Sequence, residues 1–193
     1  LRNTISLLGR GGIAQGDVHW TANFDEIQDF ENDIRNGFGG EGFMSNEDFQ
    51  LSQDPLGEPK AGKSQALDQL SAYVSSLTQV NPSPFRNPDG TLTEQAELGL
   101  TVFNQQGCGR CHGGNELTFS TSGLRHDLGT TDASSGQRIN GVLDGLDPPS
   151  LQGIWQTAPY LHNGSAKSLD SLLVRNDGHG FHNLSNSDRE NLK

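Results

Sequence analysis

Cys108-Gly109-Arg110-Cys111-His112 contains both cysteines of the 193-residue chain. A thioredoxin-like dithiol, half of a zinc site and a plain disulfide all compete for such a spacing. The first should open a helix after a strand in a βαβ pattern, and no such pattern is found here. A four-ligand zinc site would call on a second Cys or His pair. The motif reads instead as the attachment point of a c-type haem. Two thiols separated by two residues can each form a thioether to a haem vinyl group, and the adjacent histidine then lies under the iron as its proximal ligand. The motif therefore predicts a redox protein.

Only 31% of the residues are hydrophobic and 25 are glycine, so the protein core is thin for the length. A large apolar cofactor would take the place of part of it, as in cytochromes that wrap short helices and long loops round a haem. The formal net charge of −11 argues against nucleic acid, which requires a basic stripe to neutralise phosphate. It favours a cationic docking patch on a redox partner, although the same charge also serves solubility. No stretch reaches the roughly 18 apolar residues of a membrane helix. The chain opens abruptly at Leu1-Arg2-Asn3-Thr4 and closes within a helical pattern, so it is expected to be part of a longer polypeptide. Covalent haem attachment of this type takes place outside the bacterial cytoplasm, which implies a periplasmic or extracellular location.

Periodicity predicts a first helix over 22–35, with Phe24, Ile27, Phe30 and Ile34 forming an inward apolar stripe. A glycine-rich turn at 36–42 and a polar loop through Pro59 follow. A second helix is predicted from about Lys63 to Leu77, with Leu67, Leu70, Tyr73, Val74 and Leu77 on one face. The three prolines at 82, 84 and 88 cannot continue it and place a domain boundary there. Thr93 caps a third helix, with Glu94 and Glu97 in its first turn and Leu98, Leu100, Val102 and Phe103 as its apolar surface. After His112 the chain is loop-like until Ser168 caps a short helix, and a final helix starts near Ser185. No internal repeat of regular period is visible.

An iron with one histidine ligand leaves its sixth position to be settled. Low-spin carriers fill it, whereas catalysts leave it open. Met44 is the sole methionine and reads better as an apolar filler than as a ligand. The remaining histidines are His19, His126, His162, His179 and His182.

The segment Pro149-Ser150-Leu151-Gln152-Gly153-Ile154-Trp155-Gln156-Thr157-Ala158-Pro159-Tyr160-Leu161-His162-Asn163-Gly164-Ser165, followed by Ser168-Leu169-Asp170, resembles a signature of bacterial di-haem cytochrome c peroxidases. The related methylamine-dehydrogenase maturation enzyme carries the same signature. Phe103 through His112 and the Leu124-Arg125-His126-Asp127-Leu128-Gly129 segment resemble the C-terminal haem domain of that family. Arg2-Asn3-Thr4 and His19-Trp20 resemble the stretch that follows its first haem.

Two departures stand out. The family's earlier CxxCH is absent, so the haem it would hold lies upstream or is missing. The methionine that the family often places soon after the signature is also absent, and His179-Gly180 stands there instead. The resemblance makes His179 the first choice for the distal ligand, ahead of His182, Met44 and an open iron. It assigns His126 a hydrogen-bonding place near the haem and His162 a structural role in its turn. It also implies a calcium ion between domains, held by Asn3, Thr157 and Pro159. Trp20 matches the family's inter-haem tryptophan, an electron relay, and core packing accounts for it equally well. The family's catalytic glutamate has only Glu41 as a counterpart, in a poorly matching context.

The expectation is a mostly α fold. Residues 83–193 form a cytochrome c-like domain with long loops and one haem c, ligated by Cys108, Cys111, His112 and His179. Residues 1–82 form a partial, haem-less, cytochrome-like companion domain. One-electron transfer is the leading function. A peroxidase-like or oxidative enzyme is the first rival, and a structural haem domain of a larger secreted protein the second.

Overall fold

The computed structural model describes residues 2–7, 11, 16–175, 179 and 183–193. The helical content is spread over short pieces. A helical run begins with a 3-10 turn Ile27–Asp29, continues as α1 (Phe30–Asn32) and ends in a π turn Asp33–Gly37. Then come α2 (Asn46–Leu51), α3 (Gln65–Ser76), α4 (Glu94–Gln105), α5 (Leu169–Leu173) and α6 (Asn186–Leu192). A two-stranded hairpin, β1 (Gln137–Arg138) with β2 (Gly141–Val142), is the sole named sheet among the described residues. None of their helices is long and apolar enough to cross a membrane.

Caps explain most helix starts. Ser64, Thr93, Ser168 and Ser185 each accept a backbone N–H of the first turn, placing α3, α4, α5 and α6 close to where periodicity predicts them. The helix α2 falls inside the stretch predicted as loop. Its signal was the Ser45-x-x-Asp48 pair, in which the Asp48 N–H donates to Ser45 Oγ at 3.0 Å.

The first helical run departs furthest from expectation. It starts at residue 27 rather than 22, because Ala22 has φ +49° and Phe24 pairs its backbone with Val18. Its most deeply buried positions are polar: Gln28, Asp29, Glu31 and Asn32. The fully buried Lys60 ammonium donates to Asp29 Oδ1 at 2.6 Å, while Asp29 Oδ2 accepts the N–H groups of Asp25 and Glu26. Glu31 accepts the N–H groups of Phe43 and Met44 and the Arg35 Nε. Burial alone would push Glu31 up, but the Arg35 guanidinium and these amides hold it below its ordinary value. Ile27 and Phe30 line an apolar cavity of about 740 Å³ with Val18, Trp20 and Val74. A polar network rather than an apolar stripe thus ties this run to 43–68.

In the second segment α4 crosses α6 at very short range. A Cβ at Gly99 would run into the Asn191 carbonyl, and Gln95 Nε2 donates to Glu190 O at 2.8 Å. Leu98 and Leu100, predicted as inward surface, are half exposed, and Val102 carries the buried face. A small core of Tyr160, Leu161, Ala166 and Leu172 packs nearby.

The backbone also contains a repeat that the sequence hides. Val18 N–H donates to Phe24 O, and Ala22 N–H to His19 O, before a capping box at Glu26 and Asp29. Tyr160 N–H donates to Ala166 O, and Gly164 N–H to Leu161 O, before a capping box at Ser168 and Ser171. The left-handed residues correspond as well, His19 with Leu161 and Ala22 with Gly164. Trp20 thereby corresponds to His162. The two turns engage each other's segments reciprocally: Asn3 N–H donates to His162 O at 2.6 Å, and Asp147 N–H to Trp20 O at 2.9 Å. Arg138 adds two donors to the carbonyls of Thr21 and Ala22. Only backbone conformation and hydrogen bonding repeat, not residue type, so no periodic sequence signal survives.

Burial raises the Asp29 carboxyl to about 6, above the ordinary carboxylate value of an unfolded chain. Folding therefore takes up a proton between roughly pH 4 and 6, and this group's contribution to stability declines as pH rises through that window. Removing Lys60 withdraws the opposing charge. Lys60→Ala should lose about 3 to 5 kcal/mol at pH 7 in urea unfolding, with a smaller deficit at about pH 3, where Asp29 is largely protonated in both states.

Candidate haem site

Helix α4 delivers the cysteine motif. Gly107, at φ +71°, takes the left-handed conformation that ends the helix, and its N–H donates to Asn104 O at 3.1 Å. A 3-10 turn, Cys108–Arg110, then lets the N–H groups of Cys111 and His112 both reach Cys108 O, at 3.2 and 3.0 Å. Both cysteines are free and half-buried, and burial pushes both thiols up. They are protonated at neutral pH, the state in which a thiol adds across a vinyl group.

The His112 imidazole is fixed by the loop at 148–152. Its Nδ1 lies 3.0 Å from the Pro149 carbonyl, which can only accept, so Nδ1 carries the proton and Nε2 keeps its lone pair. Burial, and secondarily the neighbouring His179, lower this histidine to about 4, so the ring is neutral at pH 7. A neutral imidazole with an oriented second nitrogen is what an axial iron ligand requires. The loop is itself anchored to the residues following the motif. Thr118 Oγ1 donates to Pro148 O at 2.5 Å, and Ser150 Oγ to Glu116 O at 2.7 Å.

Two narrow cavities flank His112 and share Trp20, Pro149, Leu161 and His179, so they are parts of one cleft. The structure thus brings together Cys111, His112 and His179 from the predicted ligand set, and Cys108 stands at the start of the same turn. His126 lines the cleft as well, held by a reciprocal backbone pair with Leu146 at 2.9 Å in each direction. His162 is buried at its edge. Met44 is not brought to the cleft. It is buried, its N–H donates to Glu31, and it lines a separate cavity with the exposed Glu41. His182 lies outside the described residues.

The first segment supplies a wall of this cleft. Asn3, Thr4, Ile5, Ser6 and Trp20 all line it, and Trp20 Nε1 donates to Asn3 O at 2.9 Å. Trp20 also lines the 740 Å³ cavity on its other side, with His19, whose Nε2 lies 3.6 Å from Asp33 Oδ2. Asn3, Thr157 and Pro159 come together on the same wall, where Asn3 Nδ2 donates to Pro159 O at 2.6 Å. Thr157 turns its hydroxyl to Ile154 O, and Pro159 follows a cis peptide bond. Sequence reading missed the orienting role of the Pro149 carbonyl, although Pro149 opens the quoted signature, and the clasp made by Arg138.

The RoxA-like, cytochrome c-like family pattern matches residues 145–178, a stretch that contains the segment from Pro149 to Ser165. Hydrazine synthase subunit gamma of Kuenenia stuttgartiensis is 28% identical over 137 residues, which cover 53% of this chain and 38% of that protein. Cytochrome c peroxidase Ccp of Escherichia coli K12 is 33% identical over 111 residues, 50% of this chain and 24% of that protein. The chain therefore spans well under half the length of these curated relatives. A solved MauG-like protein associated with microbial copper homeostasis superposes with a TM-score of 0.61 at 20% identity, covering 99% of this chain and 71% of that one. The fold is mostly α and cytochrome c-like, and the chain is similar in sequence to bacterial cytochrome c peroxidases and in fold to a MauG-like protein.

Proposed function

We propose that residues 83–193 form a c-type cytochrome domain for one-electron transfer, and that Cys108 and Cys111 hold one haem by thioethers with His112 and His179 as its axial ligands. The observation that carries this reading is the shared cleft of His112 and His179, with Nδ1 of His112 engaged by Pro149 O at 3.0 Å. Bound there, the haem supplies an iron that alternates between ferric and ferrous states. The protein's part is to hold the imidazole plane, to bring a second imidazole, and to surround both with apolar walls that exclude water. A porphyrin needs more room than either narrow cavity provides, so binding it would require Trp20, Leu161 and His179, which line both, to move apart. The residues at 1–82 act as a companion that closes the cleft. The net charge of −11 suits a redox partner with a basic docking patch, and the cysteine chemistry suits a periplasmic or extracellular location.

A peroxidase-like activity is the second reading. The observation favouring it is the 740 Å³ cavity across Trp20, in a segment whose turn repeats that of the haem-binding half. Trp20 would then stand as relay between a centre there and the cleft at His112. The E. coli relative is named a cytochrome c peroxidase, which supports this reading without bearing on the groups of this site, so it ranks below electron transfer.

The optical spectrum separates the two readings. A low-spin c-type spectrum unaffected by carbon monoxide is expected, and a high-spin spectrum that carbon monoxide shifts would move the peroxidase-like reading to first place. His112→Ala should leave the haem weakly attached or absent. His179→Ala should retain it but convert the spectrum to a high-spin, carbon monoxide-binding form, and an unchanged low-spin spectrum would remove His179 as ligand.

Calcium at Asn3, Thr157 and Pro159 is part of the same proposal. It requires the Asn3 amide to turn its oxygen toward the Pro159 carbonyl side, where neutral oxygens and water would complete the shell. Added calcium should raise the Tm of the wild type and not that of Asn3→Ala. Equal Tm values with calcium and with chelator in both proteins would dismiss the site.

A further inference from the structure

His162 is 1% exposed, and one of its nitrogens has no use in the scheme above. Its backbone carbonyl accepts the Asn3 N–H, which secures the turn. Its Nε2 lies 3.0 Å from Ser135 Oγ. That hydroxyl oxygen already accepts the Asp132 N–H at 3.0 Å, and its other acceptor, Asp132 Oδ1, is more distant at 3.4 Å. Ser135 therefore donates to Nε2, and the imidazole proton resides on Nδ1. This Nδ1 is buried with no hydrogen-bond partner among the described residues. Leaving such a donor unpaired in the interior is unfavourable, so its site suits an acceptor.

The position of the ring says which acceptor. His162 lines the cavity shared by Cys111, His112 and His179. Ser135, which is not among the residues lining that cavity, occupies Nε2, so Nδ1 is the ring nitrogen left for a group bound in the cleft. The Arg2 guanidinium, which donates to the Ser135 carbonyl, adds positive charge next to the ring. A buried N–H beside the Arg2 guanidinium, whose charge outweighs that of Asp132 on this ring, in a residue lining the cleft of His112, favours an anionic oxygen acceptor.

We propose that His162 is a positioning residue whose Nδ1–H donates to a propionate carboxylate of the haem held at His112. This rests on the haem reading of the cleft. Ser135 sets the tautomer, and Arg2 links the contact to the first segment. Neutralising part of the propionate charge favours the ferrous state, so the contact raises the reduction potential.

The test uses the full haem-loaded chain with His162→Ala, His162→Asn and His162→Gln. The Asn amide nitrogen takes the place of Nδ1, whereas the Gln amide reaches the place of Nε2. Reduction potential is measured by spectroelectrochemistry, and the propionate bending band by resonance Raman. The Ala and Gln variants should shift the band and lower the potential, changing the ferric-to-ferrous ratio at fixed poise by about three- to tenfold. Asn should restore both. An unmoved band and potential in Ala and Gln would overturn the proposal, as would equal shifts in all three variants, which mark packing alone. A potential that responds to added acetate in the wild type and not in Ala would assign the acceptor to a free anion and overturn it too. Wild-type protein without covalent haem would instead defeat the haem reading itself, a failure visible before any variant is made.

Discussion

The hydrogen bond from His112 Nδ1 to the Pro149 carbonyl organises the second segment. A histidine beside two cysteines is of no use to an iron unless its second nitrogen is held and its ring is neutral. The Pro149 contact supplies the first condition and burial the second. The loop that carries Pro149 is in turn anchored by Thr118 and Ser150 to the residues just after the motif. This arrangement lets a loop-rich segment with a small apolar core present one side chain in one orientation. Its helical frame is correspondingly tight, because Gly99 allows α4 to meet the backbone of α6.

The first segment belongs to the same site. Its Trp20 turn and the His162 turn of the second segment have the same backbone conformation, and each carbonyl accepts an amide from the opposite segment. Trp20 and His162 consequently face the cleft from equivalent places. A companion joined this way contributes walls, a tryptophan and the Arg2 charge to the cleft around His112, even though it carries no haem motif of its own.

Legibility in the sequence followed the range of the forces involved. The caps at Ser64, Thr93, Ser168 and Ser185 act within one helical turn, so the start of each helix could be read from the residues beside it. The run at 27–37 could not. Its apolar period was genuine, but Ile27 and Phe30 line a cavity, while Asp29 and Glu31 are buried because Lys60, Phe43, Met44 and Arg35 come to meet them. Those partners lie outside any local window, apart from Arg35. The chain repeat was hidden for a related reason. Left-handed backbone at His19 and Ala22 matches that at Leu161 and Gly164, and no shared residue type records it.

By itself the sequence determined the donor set. Thiol, thiol and imidazole at fixed spacing are covalent facts, and the long segment from Pro149 to Ser165 gave them a family resemblance. Tertiary structure decided which of the remaining groups join them. His179 and His126 reach the cleft and Met44 does not, because the polar network around Glu31 keeps Met44 buried in the first segment. It also decided that His162 has one nitrogen engaged and one buried without a partner among the described residues, since Ser135 becomes its neighbour only when the chain folds back on itself. Bond spacing travels with the chain, whereas burial and orientation exist only once distant segments have come into contact.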